Sequence, residues 1–170
     1  MTARETHGLH TRLLKCALEV EDARAYWPHA ADDSRIDPTD AFEQYWFGAR
    51  SLPRIKVLLT NFRARFDAFP PSNAVLNAWQ DLRPDARRHI CHWHLQLSDP
   101  LYRLFTGTFL PDRLDAGRAT LTRDRVIDWV GDQGAARWTM ATRRQFASKL
   151  LGSAHSAGLV EGRRNQSTLT

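Results

Sequence analysis

The sequence predicts an all-α protein, in which a helical bundle is followed by a basic C-terminal unit with the order of a winged helix-turn-helix. Apolar residues recur at helical spacing along most of the chain, and no alternating strand pattern of useful length is present. Breaks that contain proline separate these periodic segments. Positive charge is concentrated in two blocks, and the second block is the C-terminal end. The predicted division lies between residues 1–118, the bundle, and residues 119–170, the basic unit.

The composition is that of an ordinary globular protein. Hydrophobic residues make up 42% of the 170 residues, and six Trp and eight Phe supply large core side chains. No linker rich in Gly and Ser separates independent domains. No run of 18 apolar residues is present, and the first residues have no apolar core of a secretory signal. We therefore expect a cytoplasmic protein.

The distribution of charge favours a polyanionic partner. Residues 51–90 hold seven basic and three acidic side chains, and residues 135–170 hold six and one. Residues 1–50 are net negative, and residues 91–134 are close to neutral. Arg outnumbers Lys by 21 to three, which suits bidentate contacts to phosphate but is also typical of a GC-rich genome.

Six helices are predicted before the basic unit, and then a loop rich in Asp, Gly and Pro at residues 111–119. The predicted helices are 11–25, 38–47, 51–66, 72–81, 85–97 and one that begins at Asp99-Pro100. In the third helix, Arg54 and Arg65 lie on one flank of a clean apolar stripe. They are either a row of phosphate contacts or the solvated edge of a helix.

The basic unit is predicted as a short helix, a turn, a longer helix and a basic strand with a turn. Thr122 caps the short helix, which ends near Val130 and is broken by Gly131 and Gly134. Thr139 opens the longest helix, and Gly158 closes it. A short extended piece with two arginines follows. This order is that of a winged helix-turn-helix.

The longest helix has one apolar side and one polar side that contains no acid. The predicted inner side consists of Phe146, Ala147, Leu150, Ala154 and Ala157, and the polar side of Thr142, Arg144, Gln145, Ser148, Lys149 and His155. A face without acids approaches DNA without repulsion, and its Arg and Gln can hydrogen-bond to base edges or phosphates. The same pattern also fits a packed or solvated helix.

Three further arginines are predicted to support this face. Arg143 projects from the apolar side in the first turn, where it reaches a phosphate or an acidic neighbour. Arg163 and Arg164 are either the tip of the wing, which would enter a minor groove, or part of a frayed tail.

The motifs argue against catalysis. His89, Cys91, His92 and His94 are close in sequence, and His89 and His92 lie one turn apart. Cys91 lies on another side of the helix, His94 sits beside the apolar stripe, and no second cysteine or acid nearby in sequence completes a metal site. We therefore predict structural histidines and no metal. Neither a nucleophile elbow nor a Gly-rich phosphate loop is present. The prediction is a protein that is not an enzyme and needs no cofactor.

The order of these features resembles the BrxA-type proteins of bacteriophage exclusion (BREX) systems. The segments that carry the resemblance are Tyr45-Trp46 with residues 50–55, residues 63–66, residues 99–105, residues 121–129, and Thr142-Arg143-Arg144 through residues 150–160. The resemblance implies a helical, non-catalytic protein that binds double-stranded DNA beside a methyltransferase, an ATPase and a phosphatase-like component. Arg144, Gln145, Lys149, Arg163 and Arg164 match the unit that the family would present to DNA, and Arg54 and Arg65 match its earlier basic helix.

The sequence therefore predicts an accessory protein of phage defence that binds duplex DNA with little sequence specificity. Two other classes remain open. In the first, the basic face docks onto an acidic protein partner, and the chain is an adaptor. In the second, the chain is an RNA-binding bundle in which Arg54, Arg63 and Arg65 contact the RNA.

Overall fold

The chain divides into two compact units. The computed structural model describes residues 5–30, 36–67, 76, 81–134, 138–163 and 166–170. Unit 1 consists of Met1–Glu5 and Glu19–Ser98, and unit 2 consists of Thr6–Leu18 and Asp99–Thr170. The predicted basic unit thus lies within unit 2, which also takes in residues 6–18 and 99–118.

Most of the described residues are helical, and a small sheet completes unit 2. The helices are α1 (Arg12–Lys15), α2 (Val20–Ala30), α3 (Pro38–Glu43), α4 (Leu52–Phe62), α5 (Pro84–Ser98), α6 (Pro100–Leu104), α7 (Leu110–Asp115), α8 (Arg123–Gly134) and α9 (Met140–Ser156). The strands are β1 (Thr120–Thr122), β2 (Val160–Arg163) and β3 (Gln166–Leu169). A π-helical turn, Arg63–Asp67, extends α4, and a second one, Phe105–Phe109, joins α6 to α7.

Several predicted boundaries are wrong. The helix expected over residues 38–47 ends at Glu43, and the short helix expected to end near Val130 continues to Gly134. The single helix expected over residues 11–25 is interrupted between Lys15 and Val20, where Glu19 has a left-handed backbone with φ 51°. The loop expected over residues 111–119 begins instead as α7, which continues the π-helical turn Phe105–Phe109 and contains Pro111 in its first turn. The helix expected over residues 72–81 falls mostly outside the described residues.

Unit 1 is built on an aromatic core. Tyr26 and Trp27 on α2 pack against Phe62 and Phe66, and all four side chains are buried. His94 on α5 packs edge-on against Phe66, with ring centroids 5.0 Å apart. Large rings bury much apolar area with few torsions to fix, which makes this cluster the main stabilising contact of the unit.

Unit 2 contains a three-stranded antiparallel sheet in the order β1-β3-β2. Ser167 of β3 lies opposite Leu121 of β1 on one side and Gly162 of β2 on the other. Gly162 has a φ of 108°, and a Cβ there would approach the Gln166 carbonyl oxygen to 2.9 Å, so a glycine is needed. The predicted helical class is therefore consistent with the structure, to which a small sheet is added, because the elements after α7 follow the order strand, helix, helix, strand, strand.

In the part of the chain that the structure describes, no helix combines the length and apolar character needed to cross a membrane.

Candidate nucleic-acid interface

Helix α9 has well-formed ends, which fix the residues that it presents. The Thr139 side chain accepts a hydrogen bond from the Thr142 backbone N–H at 3.2 Å, and this caps the first turn. At the other end, the Gly158 and Leu159 N–H groups donate to the carbonyls of His155 and Ala154. Gly158 has a φ of 77°, so the helix ends in a Schellman motif with glycine in its usual place. The predicted caps at Thr139 and Gly158 are confirmed.

One side of α9 is buried in unit 2. Phe146, Ala147, Leu150 and Ala154 have no exposed surface, and Ala157 is nearly as buried. Phe146 packs on Trp138 with ring centroids 4.5 Å apart. The predicted apolar side is therefore confirmed, and it fixes the rotation of the helix about its axis.

The opposite side, which we call the outward face, is exposed and free of acids. Its members recur at spacings of three and four residues. They are Ala141, Arg144, Gln145, Ser148, Gly152, His155 and Ser156, and all are exposed. Lys149 borders this face and is half-buried. The predicted residues Arg144, Gln145, Ser148 and Lys149 thus lie together. Around the helix axis, the small residues Ala141 and Gly152 lie between Arg144 and Gln145, so they occupy the centre of the face.

Arg123 joins the outward face from a different helix. It is the first residue of α8, and its Nη2 donates to the Ser148 Oγ at 2.8 Å. The same nitrogen lies 3.5 Å from the Arg144 carbonyl oxygen. Sequence reasoning missed Arg123 because its contact with Ser148 spans 25 positions. It brings a further cation to a face that already has Arg144 and Lys149.

Arg143 is engaged within unit 2. Its Nε donates to the Trp138 carbonyl oxygen at 3.1 Å. Its guanidinium also lies so close to Gly131 of α8 that a Cβ there would be 2.6 Å from Nη1. Arg143 therefore joins the start of α9 to α8, and a phosphate contact would need it to leave these neighbours.

The expected wing is a pair of antiparallel strands. In β2 and β3, Arg163 lies opposite Gln166. Arg164 lies outside the described residues, as does Asn165. The strand pairing places the backbone of Arg163 at the end of the hairpin, where a wing would be.

Arg54 and Arg65 belong to unit 1, whereas the outward face belongs to unit 2. The Arg54 Nη2 pairs with Glu19 Oε1 at 3.0 Å, and the Arg54 side chain is 31% exposed. Arg65 is only 4% exposed, and its guanidinium lies 5.7 Å from the Phe62 ring centroid. The π-helical turn explains this burial, because its wider winding moves Arg65 out of the phase that a regular helix predicts. Burial removes Arg65 from the surface, so a phosphate contact by this side chain does not fit.

The arginines expected to serve an RNA-binding bundle are likewise engaged. Besides Arg54 and Arg65, Arg63 donates from Nη2 to the Ile36 carbonyl oxygen at 2.6 Å. The geometry of unit 1 therefore gives no support to that alternative.

A second group of arginines in unit 2 was hidden from sequence reasoning. Residues 91–134 are almost neutral because five basic residues are balanced by six acidic ones. Arg118 and Arg125 lie on either side of β1, and the Arg113 side chain reaches the Thr120 carbonyl oxygen. The grouping depends on this contact, so net charge by segment could not have found it.

Two of the three histidines of α5, His92 and His94, are buried, and His89 is exposed. Burial lowers the pKa of His94 to about 4, and Nδ1 lies 3.4 Å from the Arg65 carbonyl oxygen. Burial also lowers the pKa of His92. Among the described residues, no group of three His, Cys, Asp or Glu side chains is arranged to hold a metal ion.

Comparison with family models, curated proteins and solved structures found no match to this chain.

Proposed function

We propose that unit 2 is a winged helix-turn-helix that binds duplex DNA through the outward face of α9. The observation that carries this proposal is the make-up of that face, where exposed Arg144 and Gln145 flank the small residues Ala141, Ser148 and Gly152, with no acid on the helix. Small residues let a helix enter the major groove closely, and Arg and Gln side chains hydrogen-bond to base edges and phosphates.

The order of elements supports the same proposal. β1 leads into α8, α9 follows, and β2 and β3 return to pair with β1. In a winged helix-turn-helix the second helix of the pair enters the groove, and the hairpin flanks it as the wing. Here α9 is that second helix, and β2 and β3 are the hairpin.

Binding rests mainly on phosphate contacts, with limited reading of sequence. The described cations that we assign to this surface are Arg123, Arg144 and Lys149, and the sequence-based prediction of a wing adds Arg163 and Arg164. If they neutralise about five phosphates, the logarithm of the binding constant falls with the logarithm of salt concentration with a slope of about −4 to −5 from this surface alone. The protein is non-catalytic in this proposal.

The resemblance to the BrxA-type proteins suggests the biological system in which the proposed DNA-binding protein acts. We infer a cytoplasmic accessory role in phage defence of the BREX type, beside the methyltransferase and ATPase of such a system. Co-purification of the chain with those two components tests this setting separately from DNA binding.

The decisive variant reverses two charges of the outward face. Arg144→Glu with Lys149→Glu is expected to abolish binding to a random duplex in a gel shift at low salt, because two cations become two anions facing phosphates. Circular dichroism is expected to show unchanged helicity, since neither side chain is buried.

The matched control reverses Arg24 and Arg83 to Glu. Both are exposed residues of unit 1, so net charge changes equally while α9 stays intact. This control is expected to keep most of the binding. Normal duplex binding by the Arg144→Glu, Lys149→Glu protein would contradict the assignment of α9.

A protein adaptor is the second candidate, because unit 1 exposes large aromatic side chains. Tyr45 is 69% exposed and Trp93 is 59% exposed. Exposed rings of this size are typical of protein interfaces. Tight association with a defence component in a pull-down, without any duplex shift at low salt, would favour the adaptor over the DNA-binding protein.

A further inference from the structure

Three arginines of unit 2 lie beside β1, and we call them the β1 arginine cluster: Arg113, Arg118 and Arg125. The Arg113 Nη2 donates to the Thr120 carbonyl oxygen at 2.5 Å. The Arg118 backbone N–H donates to the Arg113 carbonyl oxygen at 2.8 Å, which turns the chain back toward α7. The Arg125 backbone N–H donates to the Thr122 Oγ1 at 3.3 Å, in the first turn of α8.

The three arginines of this cluster repel one another. Burial and the neighbouring Arg125 and Arg118 lower the pKa of Arg113, and no carboxylate opposes this shift. None of the ion pairs between described residues includes a member of the cluster. Like charges held together cost free energy, and a bound anion removes that cost.

One arginine of the cluster has fixed side-chain contacts, and the other two are exposed to solvent. Arg113 is half-buried, with its guanidinium fixed on Thr120 and 5.7 Å from the Phe109 ring centroid. Arg118 and Arg125 are exposed. Arg113 is therefore a positioning residue, and the other two are available to a ligand from solvent.

The cluster lies on a different side of α8 from the outward face of α9. Arg123 and Arg125 are two positions apart, which separates their directions by about 200° around a helix. Arg123 turns to Ser148 of α9, so Arg125 points away from it. The two groups of cations thus flank the first turn of α8.

We propose that the β1 arginine cluster binds one or two backbone phosphates of the duplex, outside the groove that α9 enters. This inference rests on the proposed function, because the ligand is the same DNA. It assigns Arg118 and Arg125 to phosphate contact and widens the footprint beyond the recognition helix and the wing. Phosphate contacts of this kind add affinity and orientation without adding sequence preference.

The test compares salt dependence in two variants with equal loss of charge. Fluorescence anisotropy with a labelled random duplex of about 20 base pairs, two helical turns, is recorded from about 50 to 200 mM salt. For Arg118→Ala with Arg125→Ala, the slope is expected to become shallower by about 1 to 2, at roughly 0.9 per phosphate. The control, Arg24→Ala with Arg83→Ala in unit 1, is expected to keep the wild-type slope.

A conservative variant separates lost charge from lost structure. Arg118→Lys with Arg125→Lys keeps both cations, so the slope is expected to return close to the wild-type value. An unchanged slope in the alanine variant, or an equal change in the control, would overturn the assignment of the cluster while leaving DNA binding in place. Absence of any duplex binding by the wild-type chain at low salt would instead overturn the proposed function, and the cluster's role with it.

Discussion

Gly152 gives the sharpest prediction, because stability and DNA binding should change there in opposite directions. It lies on the outward face of α9, one turn after Ser148, and a Cβ at this position would meet no atom within 4 Å. Glycine inside a helix is less favourable than alanine by about 0.8–1 kcal/mol. Gly152→Ala and Gly152→Met are therefore both expected to stabilise the protein by about 0.5–1 kcal/mol, which raises Tm by roughly 2–8 °C in a unit of this size.

DNA binding is expected to separate the two variants. A helix with its side chains is about 10–12 Å wide, and the major groove is about 12 Å wide, so little clearance remains. A methyl group at residue 152 fits this clearance, whereas a methionine side chain in the middle of the face holds the helix away from the bases. We expect Gly152→Ala to keep its affinity within about threefold and Gly152→Met to lose about tenfold or more, at least 1.4 kcal/mol.

Thermal unfolding by circular dichroism and anisotropy with a random duplex, on the same preparations, measure both effects. A methionine variant that is more stable but binds less tightly excludes misfolding as the cause. Wild-type affinity in Gly152→Met would refute the reasoning, since a surface other than the outward face would then contact DNA. A destabilised methionine variant would show that residue 152 does not face solvent.

Two further predictions concern unit 1. Because the pKa of His94 is about 4 in the folded protein and 6.5 ordinarily, the unfolded state binds the extra proton first. The stabilisation that neutral His94 gives to the folded state is complete above pH 6.5, and the free energy of unfolding is expected to fall by about 3 kcal/mol as the pH is lowered to 4. Urea unfolding at a series of pH values should show this loss, and the His94→Phe variant should lack it. Arg65→Ala should cost about 3 kcal/mol of stability through lost packing on Phe62 and Phe66. It should leave the affinity for duplex DNA and its salt slope unchanged, whereas a shallower slope would mean that Arg65 does reach phosphate.

Helix α9 could be predicted from sequence because every local signal agrees. Thr139 caps it, Gly158 ends it, and its apolar residues follow one 3.6-residue period. Such consistency across levels makes a segment's structure nearly independent of the rest of the chain. The same period also identified the acid-free side, so four of the predicted residues proved to lie together.

Features that depend on contacts distant in sequence could not be predicted. β1 has only three residues and is a strand because it pairs with β3, more than forty positions later. Arg54 was expected at the surface edge of a helix, but its partner Glu19 is 35 positions away and lies in a break that the pattern did not show. The prediction that Arg65 lies at the surface was wrong for a local reason, because a π-helical turn changes the angular spacing of residues on which the helical pattern relies.

The acidic residues of unit 2 argue for one direction of approach by DNA. Asp124, Asp128 and Asp132 are exposed and recur every fourth residue along α8, so one side of this helix is a row of carboxylates. Asp128 and Asp132 lie beyond the first turn and repel phosphates there, whereas Arg123 and Arg125 bracket the start of the helix, where the helix dipole is positive. In the proposed complex, a duplex would therefore approach the start of α8 and avoid the part of the helix that lies beyond its first turn. In the proposed complex, this arrangement would favour presentation of the major groove to α9, and residues 91–134, a segment with almost no net charge, would contribute three cations to the DNA contact, Arg118, Arg123 and Arg125.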